Sequence, residues 1–317
     1  MPEYTLQGQI LGYLLCVVYT LLALGESVAV KAYAKRHGSG GMLMNAVIAL
    51  FATLFFLFSD IVKGDGFCVP SAMLPIALIN CLLFAAGFYF GFVAFKIGPF
   101  GLTRLISSFS LLFSIFYGIF FLHEDTTWLT YIAIVMVFAA MVLINYKSLA
   151  KQPKISNAGD DTKKSTDEAA DANTVSLKWL LCLMVSVVAN GFIVILTKLQ
   201  QNMFNKICDN EFQIISIGGS FILLTVIGLI VDRDKLATVA KNGILYGGVS
   251  GLFNGAKNLI TLLILPLLPL SVISPTKTGL GMVVAFLTAI FFYKERYTPL
   301  QIVGVALGAG AVVLLAL

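Results

Sequence analysis

Ten separate runs of about twenty apolar residues dominate this sequence, and they constrain its fold more than any other feature. Each run is long enough to cross about 30 Å of hydrocarbon as an α-helix, which rises about 1.5 Å per residue. Only 12% of the 317 residues are charged and 59% are hydrophobic, whereas soluble domains carry about 25% charged residues. The pattern predicts an all-α integral membrane protein and argues against a water-soluble enzyme. The predicted transmembrane spans are residues 9–31, 42–62, 73–95, 100–122, 127–146, 178–198, 211–231, 243–264, 269–292 and 299–317.

Residues 148–176 form a long stretch that breaks this apolar pattern. They are polar, mixed in charge and poor in large apolar side chains, so they cannot bury enough surface to fold by themselves. We interpret them as a flexible linker. The linker divides the chain into a first unit of five spans, residues 1–147, and a second unit of five spans, residues 177–317.

The two units repeat each other at an offset of 171 positions. Residues 120–129 and 291–300 share the pattern F-F-x-x-E-x-x-T-x-L, in which Glu124 aligns with Glu295. Because each unit holds an odd number of spans, the second unit must enter the membrane from the opposite face. The sequence therefore predicts a 5+5 inverted-topology repeat, an architecture common among secondary transporters. A duplicated bundle without a transport role is the alternative.

The closing part of each unit, such as TAIFFYKERYTPLQIVGVALGAGAVVLL in the second, resembles the EamA-type permeases of the drug/metabolite transporter superfamily. The shared pattern is a short helix, a Glu-x-x-Thr turn and a glycine-rich final helix. The resemblance extends over nearly the whole chain in span count and repeat order. It implies two EamA-like five-helix units around a central cavity lined by helices one, three, four, six, eight and nine. The first unit departs from the family pattern, because Arg104 stands where the second unit has Pro275.

Four charged residues lie well inside the predicted spans. A charge there costs about 2.5–3.5 kcal/mol on insertion scales, so it normally faces the protein interior or a watery cavity. Lysines near the span ends are instead expected to reach the membrane surface with their ammonium groups; these are Lys31, Lys96, Lys178 and Lys198. The four inner charges are Glu26, Arg104, Lys257 and Lys277.

Depth along the spans predicts how these four charges are arranged. Lys257 and Lys277 each lie about 12 Å from one membrane face, while Glu26 and Arg104 share a level nearer the opposite face. We therefore predict an ion pair between Glu26 and Arg104, which leaves both lysines without an acidic partner in any span. Unpaired cations within a membrane are typical of an anion site.

The substrate-binding hypothesis adds two amides on the eighth span, Asn254 and Asn258, to the four charges. Two alternatives remain open. In the first, the two lysines donate their hydrogen bonds to backbone carbonyls or to neighbouring amides and hydroxyls, and bind no solute. In the second, Glu26 binds a coupling cation.

Three short sequence patterns bear on whether the protein uses ATP or catalyses a reaction. No G-x-x-x-x-G-K-[ST] phosphate loop occurs, so a transporter would be secondary or a facilitator. The segment Gly248-Val249-Ser250-Gly251 matches the G-x-S-G of rhomboid-type serine proteases, whose serine needs a histidine base. The two histidines, His37 and His123, lie at membrane edges, so close helix packing by glycines is the favoured interpretation. No Cys-x-x-Cys pair occurs, so neither a zinc site nor a redox motif is supported. Since the sequence also carries no recognisable catalytic constellation, we expect no metal, no cofactor and no catalytic residue.

Loop charges bear on orientation. Most lysines and arginines fall in loops on the side of the membrane that holds the linker, which by the positive-inside rule places both termini outside the cell. The family resemblance implies the reverse. The sequence has no basic stripe of the kind that binds nucleic acid, so no nucleic-acid partner is expected.

These observations predict a multi-pass transporter of the plasma membrane that moves a small polar metabolite, with organic anions as one suitable class, by alternating access. The expected partners are the small-molecule substrate, membrane lipid and, as one assembly the architecture allows, a second copy in a homodimer. A membrane receptor or scaffold without flux is the alternative function. An intramembrane serine protease is a remote one.

Overall fold

The computed structural model describes residues 6–37, 40–64, 66–67, 69–97, 103, 106–124, 126–144, 177–204, 208–291 and 298–316. Within these ranges the chain forms ten main helices and no strand. In the first half they are α1 (Leu6–His37), α2 (Gly41–Lys63), α3 (Met73–Ile97), α4 (Leu111–Phe116) and α5 (Trp128–Ile144). In the second half they are α6 (Leu177–Phe204), α7 (Asp209–Val231), α8 (Ile244–Ile264), α9 (Leu270–Phe291) and α10 (Pro299–Ala316).

The helices follow the order of the predicted spans, with one clear difference in the fourth. We expected a continuous helix over residues 100–122. In the described part of this span, a 3-10 turn at Ser108–Ser110 precedes the α-helix Leu111–Phe116, and a π-helical turn at Tyr117–Phe121 follows it. Such short π segments are rare and frequently occur at functional sites.

Six helices in the described part of the chain are long and apolar enough to cross a membrane, namely 6–34, 41–63, 73–94, 177–204, 209–231 and 270–288. Three shorter apolar helices cover 111–121, 128–144 and 299–315. Helix α8 is not in either group, because it carries Asn254, Lys257 and Asn258 on its middle turns. The protein is therefore a multi-pass helical membrane protein in which one helix is unusually polar.

The helices pack mainly across the two halves of the chain. Helix α1 packs on α8 and α9, and α6 packs on α3 and α4. Helix α2 packs on α7 and α8, and α7 packs in turn on α2 and α3. Two further contacts join α5 to α10 and α4 to α9.

Two apolar clusters support this arrangement. Helices α2 and α7 pack around Phe56, Ile217 and Leu224. Helices α5 and α10, together with α4 and α9, pack around Val137 and Leu315.

Glycines allow the close approach of α8 to α2. A Cβ atom added at Gly251 would lie 2.6 Å from the backbone oxygen of Ile48, and one at Gly255 would lie 2.8 Å from Phe55. Directly before Gly251, the Ser250 hydroxyl donates a hydrogen bond to the backbone oxygen of Glu26. The G-x-S-G segment is thus built into helix packing, as the glycine spacing indicated.

Candidate functional site

A cavity of about 640 Å³ lies between the helices of the two halves. Its walls come from α1, α3, α4, α6, α8 and α9, with Asn45 of α2 and Gln213 of α7 completing the lining. The six main helices are those that the family resemblance implied. The volume falls within the range of about 300–1,000 Å³ that is typical of small-molecule sites.

Hydroxyl and amide side chains form much of the cavity wall. The charged members of the described lining are Glu26, Lys257 and Lys277. The uncharged polar members are Tyr19, Asn45, Ser107, Ser110, Ser114, Ser186, Asn190, Thr197, Gln213, Asn254, Asn258, Thr261, Ser274 and Thr278. So many hydrogen-bonding groups in an apolar protein indicate a space suited to a polar solute.

Glu26 and Lys257 form an ion pair across α1 and α8. The Lys257 Nζ atom lies 2.5 Å from Glu26 Oε2, and the Asn254 amide donates to Glu26 Oε1 at 2.7 Å. Asn258 then donates to Asn254 Oδ1 at 2.9 Å. Because Asn254, Lys257 and Asn258 are three and four residues apart, one face of α8 presents all three towards the cavity.

This pairing corrects the sequence-based prediction that Lys257 has no acidic partner in any span. The depth estimate placed Glu26 too close to a membrane face, because it ended the first span at residue 31. Helix α1 continues to His37, so Glu26 lies deeper and level with Lys257. The proposed partner Arg104 lies outside the described residues.

Lys277 has a different environment from Lys257. Its Nζ atom donates to Thr261 Oγ1 at 3.0 Å and lies 4.2 Å from the centre of the Tyr19 ring. The Thr261 hydroxyl donates its own proton to the backbone oxygen of Lys257 at 3.0 Å, which leaves its oxygen to accept from Lys277. No acidic side chain of the described residues lies within ion-pair distance of Lys277.

The opposite wall of the cavity was not predicted from the sequence. Ser107, Ser110 and Ser114 of the α4 segment lie three and four residues apart, which places them on one helical face. Asn190 of α6 is a single amide within an apolar run. Both patterns are visible in the sequence, but neither residue set carries a charge that would mark it out from the many isolated hydroxyls and amides of the spans.

Residues of α6 hold the C-terminal end of α8, where it turns towards α9. Lys198, expected at the membrane surface, is buried and donates to the backbone oxygen of Leu265 at 2.5 Å. Gln201 donates to the backbone oxygen of Leu262 at 3.0 Å. A cation at the C-terminal end of a helix is favoured by the helix dipole and satisfies a carbonyl that has no helical donor.

Glu124 of the repeated F-F-x-x-E motif caps the start of α9. Its carboxylate accepts hydrogen bonds from the backbone N–H of Leu270 at 2.6 Å, and from the N–H and hydroxyl of Ser271 at 2.9 and 2.7 Å. Gly118 permits this approach, since a Cβ atom there would lie 2.4 Å from Glu124 Oε2. Its aligned counterpart Glu295 lies outside the described residues.

Polar cavity walls inside a bundle of apolar helices place this chain in the class of multi-pass membrane proteins that handle small solutes. Residues 10–146 match the EamA-like transporter family, which confirms, for this part of the chain, the resemblance seen in the sequence. Among 28 matching chains of solved structures, one crystal structure covers 99% of this chain and 99% of its own, with a TM-score of 0.67 and 13% identity. That likeness shows that the two chains share an overall fold. No curated protein matches the chain.

Proposed function

We propose that the protein is a secondary transporter or facilitator that carries a small polar solute through the central cavity by alternating access. The observation that carries this proposal is the cavity itself, whose described lining holds three charged side chains and many hydroxyl and amide groups. Burying so many polar groups within membrane spans is costly unless they meet a partner or water. A transported polar solute supplies such partners.

The stronger helix contacts between the two halves support a 5+5 inverted repeat of ten spans. An inverted repeat would exchange each helix of the first half with the helix numbered five higher in the second half. Under this exchange the α1–α8 contact becomes α6–α3, and the α1–α9 contact becomes α6–α4. Both of these contacts are present. The α2–α8 contact likewise becomes α7–α3. The contacts α2–α7, α5–α10 and α4–α9 map onto themselves. A pseudo-two-fold axis between the halves would produce this exchange.

The Glu124 cap supplies a closing contact for one face of the cavity. It joins the end of the fourth helical segment in the first half to the start of α9 in the second half. From its alignment with Glu124 in the sequence repeat, we predict that Glu295 makes a corresponding cap at the opposite membrane face. Alternating access would then form one cap as the other one breaks.

We place the transporter in the plasma membrane. The loop charges favour termini outside the cell and the family resemblance favours termini inside, and labelling of an added terminal tag on intact cells decides between them. A homodimer stays a prediction.

Uptake into proteoliposomes tests the proposed function without knowledge of the substrate. Vesicles containing the full chain are incubated with a water-soluble cell extract, washed and analysed by mass spectrometry. We expect at least one metabolite to accumulate with time relative to empty vesicles. Ser274→Trp, which fills the cavity, should abolish the accumulation, whereas Leu229→Trp on a 42% exposed position of α7 should preserve it. If no metabolite accumulates, the protein is a receptor or scaffold instead.

A further inference from the structure

The two cavity lysines are not equivalent, and this difference points to the chemistry of the solute. Lys257 is engaged by the Glu26 carboxylate at 2.5 Å. Lys277 is held only by neutral groups among the described residues, namely the Thr261 hydroxyl and the Tyr19 ring. A hydroxyl and an aromatic face position an ammonium group but do not neutralise its charge.

Building on the proposed function, we propose that Lys277 is the residue that recognises a single carboxylate of a monovalent organic acid with an apolar body. A carboxylate in the cavity would gain a charge-assisted hydrogen bond from Lys277 Nζ, which is stronger than the neutral contacts that Lys277 makes in the empty cavity. Ser274, three residues earlier on α9, also lines the cavity and offers a hydroxyl donor to the second carboxylate oxygen.

The Glu26–Lys257 pair restricts the charge of the solute. A second carboxylate would have to draw Lys257 away from Glu26, and this would leave the Glu26 carboxylate without its counter-charge inside a membrane span. A cationic solute at the same place would face the positive charge of Lys277. The arrangement therefore favours a solute with one negative charge over a dianion, a neutral solute or a cation.

The cavity wall formed by α3 determines which apolar groups of a solute would fit. Phe84, Phe88 and Phe92 lie four residues apart, so they follow one face of that helix, and all three line the cavity. Aromatic rings bind flat apolar groups by offset or edge contacts. An aromatic or branched aliphatic carboxylate matches both the Lys277 ammonium group and this wall of phenylalanine rings.

The test uses four probes of one shape and different charge with the purified full chain. Benzoate is the monoanion, benzyl alcohol the neutral analogue, benzylammonium the cation and terephthalate the dianion. We expect benzoate to raise the unfolding temperature more than the other three, since a ligand that binds the folded state stabilises it. This comparison needs no variant, so it stands even if a substitution impairs folding.

Variants then assign the effect to Lys277. Lys277→Gln should weaken benzoate binding by about tenfold or more, as expected for loss of a hydrogen bond to a charged group. Lys277→Arg should retain most of the binding. Lys63→Gln, which removes an exposed lysine at the end of α2, is the matched control and should leave binding unchanged.

Two results overturn the inference: benzoate that stabilises no better than benzyl alcohol, or benzoate binding that is unchanged in Lys277→Gln. Vesicle uptake separates this failure from failure of the proposed function. If a neutral or cationic metabolite accumulates in wild-type vesicles while benzoate fails, the protein is a transporter and the monoanion inference alone is wrong. If no metabolite accumulates, the proposed function is wrong as well.

Discussion

Glu26 and Lys257 join the two halves of the protein inside the membrane. Their carboxylate and ammonium groups lie 2.5 Å apart, and each side chain is 18% exposed, at the wall of the cavity. Glu26 belongs to α1 in the first half and Lys257 to α8 in the second. The pair therefore acts as a structural link between the halves and also sets the charge that a solute meets.

Removing one member of this pair should destabilise the protein more than removing both. Lys257→Gln leaves Glu26 as an uncompensated charge within a span, at a cost of up to about 3 kcal/mol, since full burial of a broken pair costs about 3–5 kcal/mol. Glu26→Gln together with Lys257→Gln replaces the ion pair by two neutral amides and should recover most of the loss. Equilibrium unfolding of the single and double variants gives the coupling energy. Additive losses would contradict the pairing.

The cap on α9 should control the local stability of its first turn. Glu124→Ala removes three hydrogen bonds from Leu270 and Ser271, and loss of a helix cap costs about 0.5–2 kcal/mol. We expect faster hydrogen exchange at these backbone amides, with little change in the middle of α8. Ser271→Ala, which removes only the hydroxyl contact, is the control and should have a smaller effect. Unchanged exchange in Glu124→Ala would refute the cap.

The approach of α8 to α2 should depend on the absence of a side chain at Gly251. Gly251→Ala would place a Cβ atom 2.6 Å from the backbone oxygen of Ile48, and such overpacking costs about 1–3 kcal/mol. Gly281 in α9 is the matched control, because a Cβ atom there meets nothing within 4 Å. Gly281→Ala should be neutral or stabilising by up to about 1 kcal/mol, since alanine is the better helix former. Thermal unfolding of both variants tests whether the packing of α8 on α2 depends on the absence of a side chain at Gly251.

The sequence predicted the number and order of the helices well, because runs of twenty apolar residues have few other stable forms in a membrane. It also identified Lys257 and Lys277 as interior charges. It failed on the partner of Glu26, because pairing depends on where α1 ends, and helix ends are the least certain part of a pattern. The irregular turns around Leu111–Phe116 were missed because they depend on tertiary contacts: the π-helical turn at Tyr117–Phe121 leads into Glu124, which binds the start of α9.

Alternating exposure of the cavity tests the central claim most directly. Ser274→Cys places a thiol in the cavity wall, in a background where the five native cysteines are replaced. An impermeant maleimide is applied to right-side-out vesicles and, separately, to inside-out vesicles. Ser27→Cys is the control. It lies on the outer surface of α1 within the membrane span and outside the cavity lining, so a water-soluble maleimide should not reach it and it should stay unlabelled. We predict that Ser274→Cys is labelled from both faces; labelling from one face only, under all conditions, would contradict transport by alternating access.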